Sequence, residues 1–125
     1  MIQEEKQLLL KDLCSRLPYR TKIHIIGDGG EEIDADLTTS TIDYFMSWTI
    51  KPYLRPMSSM TEEEENEFIS LNTIPSPCQL PNHTRMSWYS NATMLDWLNA
   101  HHFDYRGLIK KGLALEAAKD MYKKI

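Results

Sequence analysis

Apolar and polar positions alternate along the chain with two periods, which divide it into short elements. Residues 4–17 repeat at helical spacing. Leu10, Leu13, Cys14 and Leu17 make an apolar stripe, Glu4, Lys6, Lys11 and Asp12 lie mostly off it, and Pro18 stops the helix. The period then shortens. Thr21 to Ile26 is a β-branched run in which Ile23 and Ile25 share a face, and Ile33, Ala35 and Leu37 alternate with Asp34 and Asp36. Between them Gly27-Asp28-Gly29-Gly30 supplies the positive φ that tight turns need. The pattern predicts a β-hairpin.

Ser40, with Asp43 three residues on, opens a second predicted helix that turns Ile42, Phe45 and Met46 inward, and Trp48 and Ile50 continue the apolar content. Pro52 and Pro56 bracket the next stretch, so residues 51–57 should run extended over the surface or along a sheet edge. Thr61 and Glu64 form a capping box for a helix to Leu71, and Glu62 and Glu63 complement its positive end. Pro75, Pro77 and Pro81 make 73–82 a loop, and Met86 and Trp88 alternate with Ser87 and Tyr89 as in a short strand.

From Asp96 to Ala118 the pattern predicts two short helices. Ser90 or Asn91 caps the first, with Met94, Trp97, Leu98 and His101 on one face. Asp104 caps the second, which runs through Lys111 and ends at Gly112 as the left-handed residue. Leu113 and Leu115 then alternate with Ala114 and Glu116, as in a short strand or a docking segment. The element order predicts a single compact α+β domain over 1–125, with a small, mainly antiparallel sheet and four to five helices.

Composition adds limits. A chain of 125 residues, 42% hydrophobic and 26% charged, can bury a core without staples. No apolar run approaches the roughly 20 residues that span a bilayer, and the acidic, helical start is unlike a signal peptide. A cytoplasmic protein with no membrane contact is expected. Cys14 and Cys78, the only cysteines, make neither a zinc site nor a disulfide framework, so reduced structural thiols are expected. Residues 1–67 carry 14 acidic and 7 basic side chains, a net −7, and residues 68–125 carry 4 and 7, a net +3. Such asymmetry can orient a partner or pair subunits head to tail, giving a homo-oligomer. Neither half has the basic excess of a generic nucleic-acid binder.

The candidate chemistry is sparse. Asp28, Glu31, Glu32, Asp34 and Asp36 fit no calcium-loop spacing and read as a solvated hairpin. His101 and His102 are adjacent, so on a helix they point about 100° apart and do not chelate as an i, i+4 pair would. A packed or hydrogen-bonded role fits them better than a metal, and Asp104 could orient one of the imidazoles. There is no nucleophile elbow, phosphate-binding loop or dinucleotide fingerprint, so neither a cofactor nor a catalytic residue is assigned. Trp48, Tyr53, Trp88 and Tyr89 are candidate interface anchors or stacking platforms, although core packing claims most aromatics.

Three passages are similar to known sequences: LLLKDLCSRLPY at 8–19, KPYLRPMSSMTEEE at 51–64 and DWLNAHHFDYRGLIKKGLALEA at 96–117. They resemble a group of small, functionally uncharacterised proteins found in prophages and mobile elements of gut anaerobes. The chain departs from the group's pattern at Ala118-Lys119-Asp120. The resemblance implies a phage or mobile-element context and a bacterial host cytoplasm, and carries over no catalytic residue.

Three functional expectations follow. The first is a non-enzymatic accessory protein that binds a host macromolecule, most simply a host protein, as a counter-defence inhibitor would. The second is a small-molecule pocket that binds or sequesters an anionic, nucleotide-like ligand. Tyr53, Arg55, Tyr105 and Arg106 would supply aromatic faces and guanidinium forks, with His101 and His102 beside them. The third, ranked below both, is a small hydrolase using His101, His102 and Asp104.

Overall fold

The computed structural model describes residues 2–71 and 83–122, with the side chains of 46 and 83–91 outside the description. Among the described residues, four α-helices accompany a four-stranded sheet of order β2-β1-β3-β4, an α+β architecture. The helices are α1 (Gln3–Arg16), α2 (Thr39–Ile42), α3 (Glu62–Ser70) and α4 (His83–Ala100). The strands are β1 (Lys22–Ile26), β2 (Glu32–Asp36), β3 (Thr49–Leu54) and β4 (Leu115–Glu116). β1 pairs antiparallel with both β2 and β3, and β4 adds in parallel to β3, so the sheet is mixed but mainly antiparallel.

The hairpin forms as its alternation predicts. Ile23 and Ile25 are buried, and His24 on the other face stands opposite Asp34. Ile50, Pro52 and Leu54 of β3 lie on the same inner face, where Leu9 and Leu13 of α1 pack with Leu37, Leu108, Leu113 and Ala114. A smaller cluster of Trp97, Leu98 and Phe103 takes in Met60, Phe68 and Leu71, and joins α3 to the end of α4.

Several expectations need correction. The buried face of α1 is Leu9, Asp12, Leu13 and Arg16, while Leu10 and Cys14 are exposed. Both faces satisfy helical spacing. The observed one is possible because Asp12 and Arg16, one turn apart, neutralise each other inside the core at 2.8 Å. β3 is an inner strand rather than a surface or edge segment. Pro52 is tolerated because it stands opposite Ile23 at a non-bonded position of the ladder, with its nitrogen turned from β1, and β4 pairs only Tyr53 and Leu54. Thr38, not Ser40, caps the short helix α2, with Thr41 completing the box.

Residues 86–89 are helical, inside α4, so the predicted strand there does not form and Ser90 and Asn91 are not caps. The predicted loop 73–82, with Cys78, lies outside the described residues. The capping box of α3 is present, with the Glu64 N–H donating to the Thr61 hydroxyl at 3.1 Å.

Candidate functional site

The sequence leaves α4 through a closed turn that positions much of the candidate chemistry. The Phe103 N–H donates to the Leu98 carbonyl at 3.0 Å and the His102 N–H to that of Asn99 at 3.1 Å. This hydrogen-bond pair ends a helix through a left-handed residue, and His102 adopts φ of 63° to provide it. Arg55, just past β3, then takes the chain up again. Its N–H donates to the His102 carbonyl, and its own carbonyl accepts from the Asp104 N–H, each at 2.8 Å.

His102 is buried between two elements. Its Nδ1 meets the Thr21 hydroxyl at 3.1 Å, and its ring stacks on Tyr122 at 3.7 Å between centroids. Burial, then the nearby positive charges of Arg16, His101 and Arg55, pushes the imidazole pKa down to about 4. Tyr122 is itself a structural bridge. Its hydroxyl accepts from the Lys22 N–H at 2.8 Å and donates to the Tyr53 carbonyl at 2.7 Å, filling the gap where β1 and β3 part. Burial raises its phenol pKa well above the ordinary value.

The remaining candidates fall into separate settings. The Arg55 guanidinium lies over the Phe103 ring at 4.2 Å and forms a two-pronged pair with Glu64 at 2.6 and 2.7 Å. This pairing, with help from Thr61, holds the Glu64 carboxyl at about 2. Arg106 reaches back to α1. Its Nε donates to Asp12 at 3.0 Å and its Nη2 to the hydroxyls of Ser15 and Tyr105. Tyr105 donates to Asn99 at 2.9 Å. His101 stacks on Trp97 at 4.0 Å, with Nδ1 at 2.9 Å from the Trp97 carbonyl.

Tyr53 stands apart, on the solvent face of the sheet. There its hydroxyl donates to Asp34 at 2.8 Å, and His24 lies between Asp34 at 2.7 Å and Glu32 at 3.0 Å. Hydrogen bonds donated to these two carboxylates raise the His24 pKa, and those accepted from His24 and Tyr53 lower that of Asp34.

The six predicted binding residues are thus not assembled into one pocket. The hydrolase arrangement fails on a specific point: both Asp104 oxygens accept backbone N–H groups, from Leu108 at 2.8 Å and Ile109 at 3.0 Å. No imidazole is oriented by Asp104. It does cap, as predicted, but it caps a series of turns rather than a helix, because Gly107 at φ of 73° breaks the helical run. Gly112, at φ of 76°, is left-handed as expected. Among the described residues no group of three His, Cys, Asp or Glu is placed to hold a metal ion, and none of the helices is long and apolar enough to cross a membrane.

Residues not singled out from the sequence hold these settings together. Arg16 donates to Asp12 and to the Phe103 carbonyl at 2.7 Å, and Trp97 donates to Glu67 at 2.8 Å. The i, i+4 spacing of Asp12 and Arg16 was the available signal for the first. The hairpin register was the signal for His24 beside Asp34. Tyr122 left none.

One open groove adjoins Arg55, with a volume of about 1120 Å³. Ser58, Ser59, Thr61 and Glu64 line it together with 116–120 and Tyr122. Its charged lining is two cations, Arg55 and Lys119, against the carboxylates of Glu64, Glu116 and Asp120.

This is an α+β domain with an open cleft beside Arg55. Compared with known protein families, with curated proteins and with solved structures, the chain shows no significant match to any of them.

Proposed function

We propose that this is a non-enzymatic binding protein that takes an extended segment of a host protein in the groove beside Arg55. The observation that supports the reading is the groove itself. At about 1120 Å³ it is larger than the roughly 300–1,000 Å³ of small-ligand pockets, and it is open, with Ser58, Ser59, Thr61 and Tyr122 contributing hydroxyls to a lining that also includes Pro56, Ala117 and Ala118. Its lining carries one carboxylate more than its cations, and Arg55 is closed on Glu64, so a phosphate would have to displace a carboxylate held in two hydrogen bonds. Arg106 is similarly engaged with Asp12. These pairings place the anionic-ligand reading second. The resemblance to prophage and mobile-element proteins supplies the context in which occupying a host protein is useful, as a counter-defence inhibitor does.

Replacing exposed Ala118 on the groove wall by Trp fills the cleft without touching the core. Affinity capture from host lysate should retain a host protein on the native chain and lose it on Ala118→Trp at unchanged thermal stability. An identical captured set on both chains would sink the reading. Native mass spectrometry finding a bound nucleotide would replace it with the anionic-ligand alternative.

A further inference from the structure

β2 is an outer strand of the sheet, and its backbone shows which groups it leaves free. The Leu37 N–H donates to the Thr21 carbonyl and the Gly27 N–H to the Glu31 carbonyl, both at 2.8 Å, at the two ends of the β1–β2 ladder. Antiparallel pairing alternates, so Ile33 opposite Ile25 and Ala35 opposite Ile23 direct their N–H and C=O groups to β1. Glu32, Asp34 and Asp36 direct theirs outward. The Thr41 hydroxyl reaches the Asp36 carbonyl at 3.3 Å, and among the described residues no other bond to these outward backbone groups is formed.

The side chains along this edge carry a definite pattern. Glu32, Asp34 and Asp36 form an acidic row on the solvent face, with side chains 60%, 62% and 47% exposed. β1 sets only Lys22 and His24 against these three carboxylates. On the opposite face Ile33 is left 55% exposed at the same edge. A second β2 strand added antiparallel about Asp34 would put Asp34 against Asp34 and Glu32 against Asp36. Like charges directly opposite destabilise a pair, so the acidic row works against self-association. The complementary strand has basic residues opposite the acids and β-branched apolar residues opposite Ile33 and Ala35.

We propose that the β2 edge is a strand-addition site for an extended segment of a partner protein in which basic and apolar residues alternate. The outward backbone groups of Glu32, Asp34 and Asp36 supply the hydrogen bonds. The acidic row selects the charge and the register, and Ile33 finds the cover it lacks. This site is separate from the Arg55 groove, so the Ala118→Trp variant leaves it intact.

The test uses the full chain, isotope-labelled, with two end-blocked hexapeptides, one alternating Lys and Val and the other Glu and Val. The Lys–Val peptide should bind roughly tenfold or more tightly, from three opposite-charge pairs replacing three like-charge ones, and more weakly as salt is added. It should slow amide exchange at Glu32, Asp34 and Asp36 while leaving Ile33 and Ala35, already bonded to β1, unchanged. Equal binding of the two peptides, no binding at millimolar concentration, or binding without that alternate protection would overturn the proposal.

Discussion

Two turns ten residues apart end in the same way with different residues. At the exit of α4, Phe103 and His102 donate back to Leu98 and Asn99. Farther on, Leu113 and Gly112 donate back to Leu108 and Ile109 at 2.9 and 3.1 Å. In each case the flanking apolar pair, Leu98 with Phe103 and Leu108 with Leu113, is buried in a common cluster. Gly112 adopts its left-handed φ at little cost and contributes nothing more. His102 meets a penalty of about 1–2 kcal/mol for the same conformation, although His is among the residues that tolerate it best. Its ring accounts for the difference, joining Thr21 and Tyr122 to the end of α4. The first closure is a junction of four chain segments, and the second is a turn.

The most damaging break in that contrast lies under the first closure. Arg16 holds the Phe103 carbonyl and is fully buried against Asp12. Asp12→Ala leaves the guanidinium without its carboxylate, and urea unfolding should report a loss of about 3–5 kcal/mol. A loss under 1 kcal/mol would mean that the pair does not carry the junction.

Acid distinguishes the two closures next. The folded-state pKa of His102 is about 4, below the ordinary value, so the folded protein binds fewer protons than the unfolded chain. Its stabilising effect is whole above about pH 6.5 and is lost as pH falls toward 4, amounting to about 3 kcal/mol. His24 has the opposite sign: its pKa is raised, so its contribution is present at low pH and fades as pH rises through that value. Glu64 weakens the fold only at still lower pH, between about 4.5 and 2. Imidazole NMR titration reads the two histidines separately. In a His24→Gln background, unfolding midpoints should fall from pH 6.5 to 4, and His102→Asn, which keeps a residue suited to left-handed backbone, should flatten the slope.

The smallest effects isolate the backbone. A Cβ at Gly112 meets nothing within 4 Å, so Gly112→Ala should cost about 1–2 kcal/mol from conformation alone. At His102 the comparison runs the other way. His102→Gly and His102→Ala both lose the ring, and the Gly variant should be the more stable by about 1 kcal/mol in thermal unfolding. Equal stability of the two would remove the conformational penalty from the account.

Much of the architecture was legible in the chain. Gly27 to Gly30 with the flanking alternation specified a hairpin, Thr61 and Glu64 specified a helix start, and Gly112 specified a left-handed stop. Each of these depends on interactions within a few residues. The misread elements were those in which local pattern admits two answers. Leu10 and Cys14 match helical spacing as well as Leu9 and Leu13 do, and Pro52 reads as an edge signal unless the sheet leaves its nitrogen unpaired. The candidate site was legible only as a set of residue types. Arg55, Arg106 and His102 stand out as residue types, but their partners Glu64, Asp12, Thr21 and Tyr122 stand 9, 94, 81 and 20 positions away.

Neighbouring residues alone set the class of fold, the hairpin, the Thr61 cap of α3 and the lack of a recognisable catalytic motif, because periodicity and turn chemistry act over short separations. Only the tertiary structure decided which charges are occupied. An arginine free in sequence is a binding fork, whereas one closed on a carboxylate is a strut. That difference depends on desolvation and on contacts made across the whole chain, which no local pattern encodes.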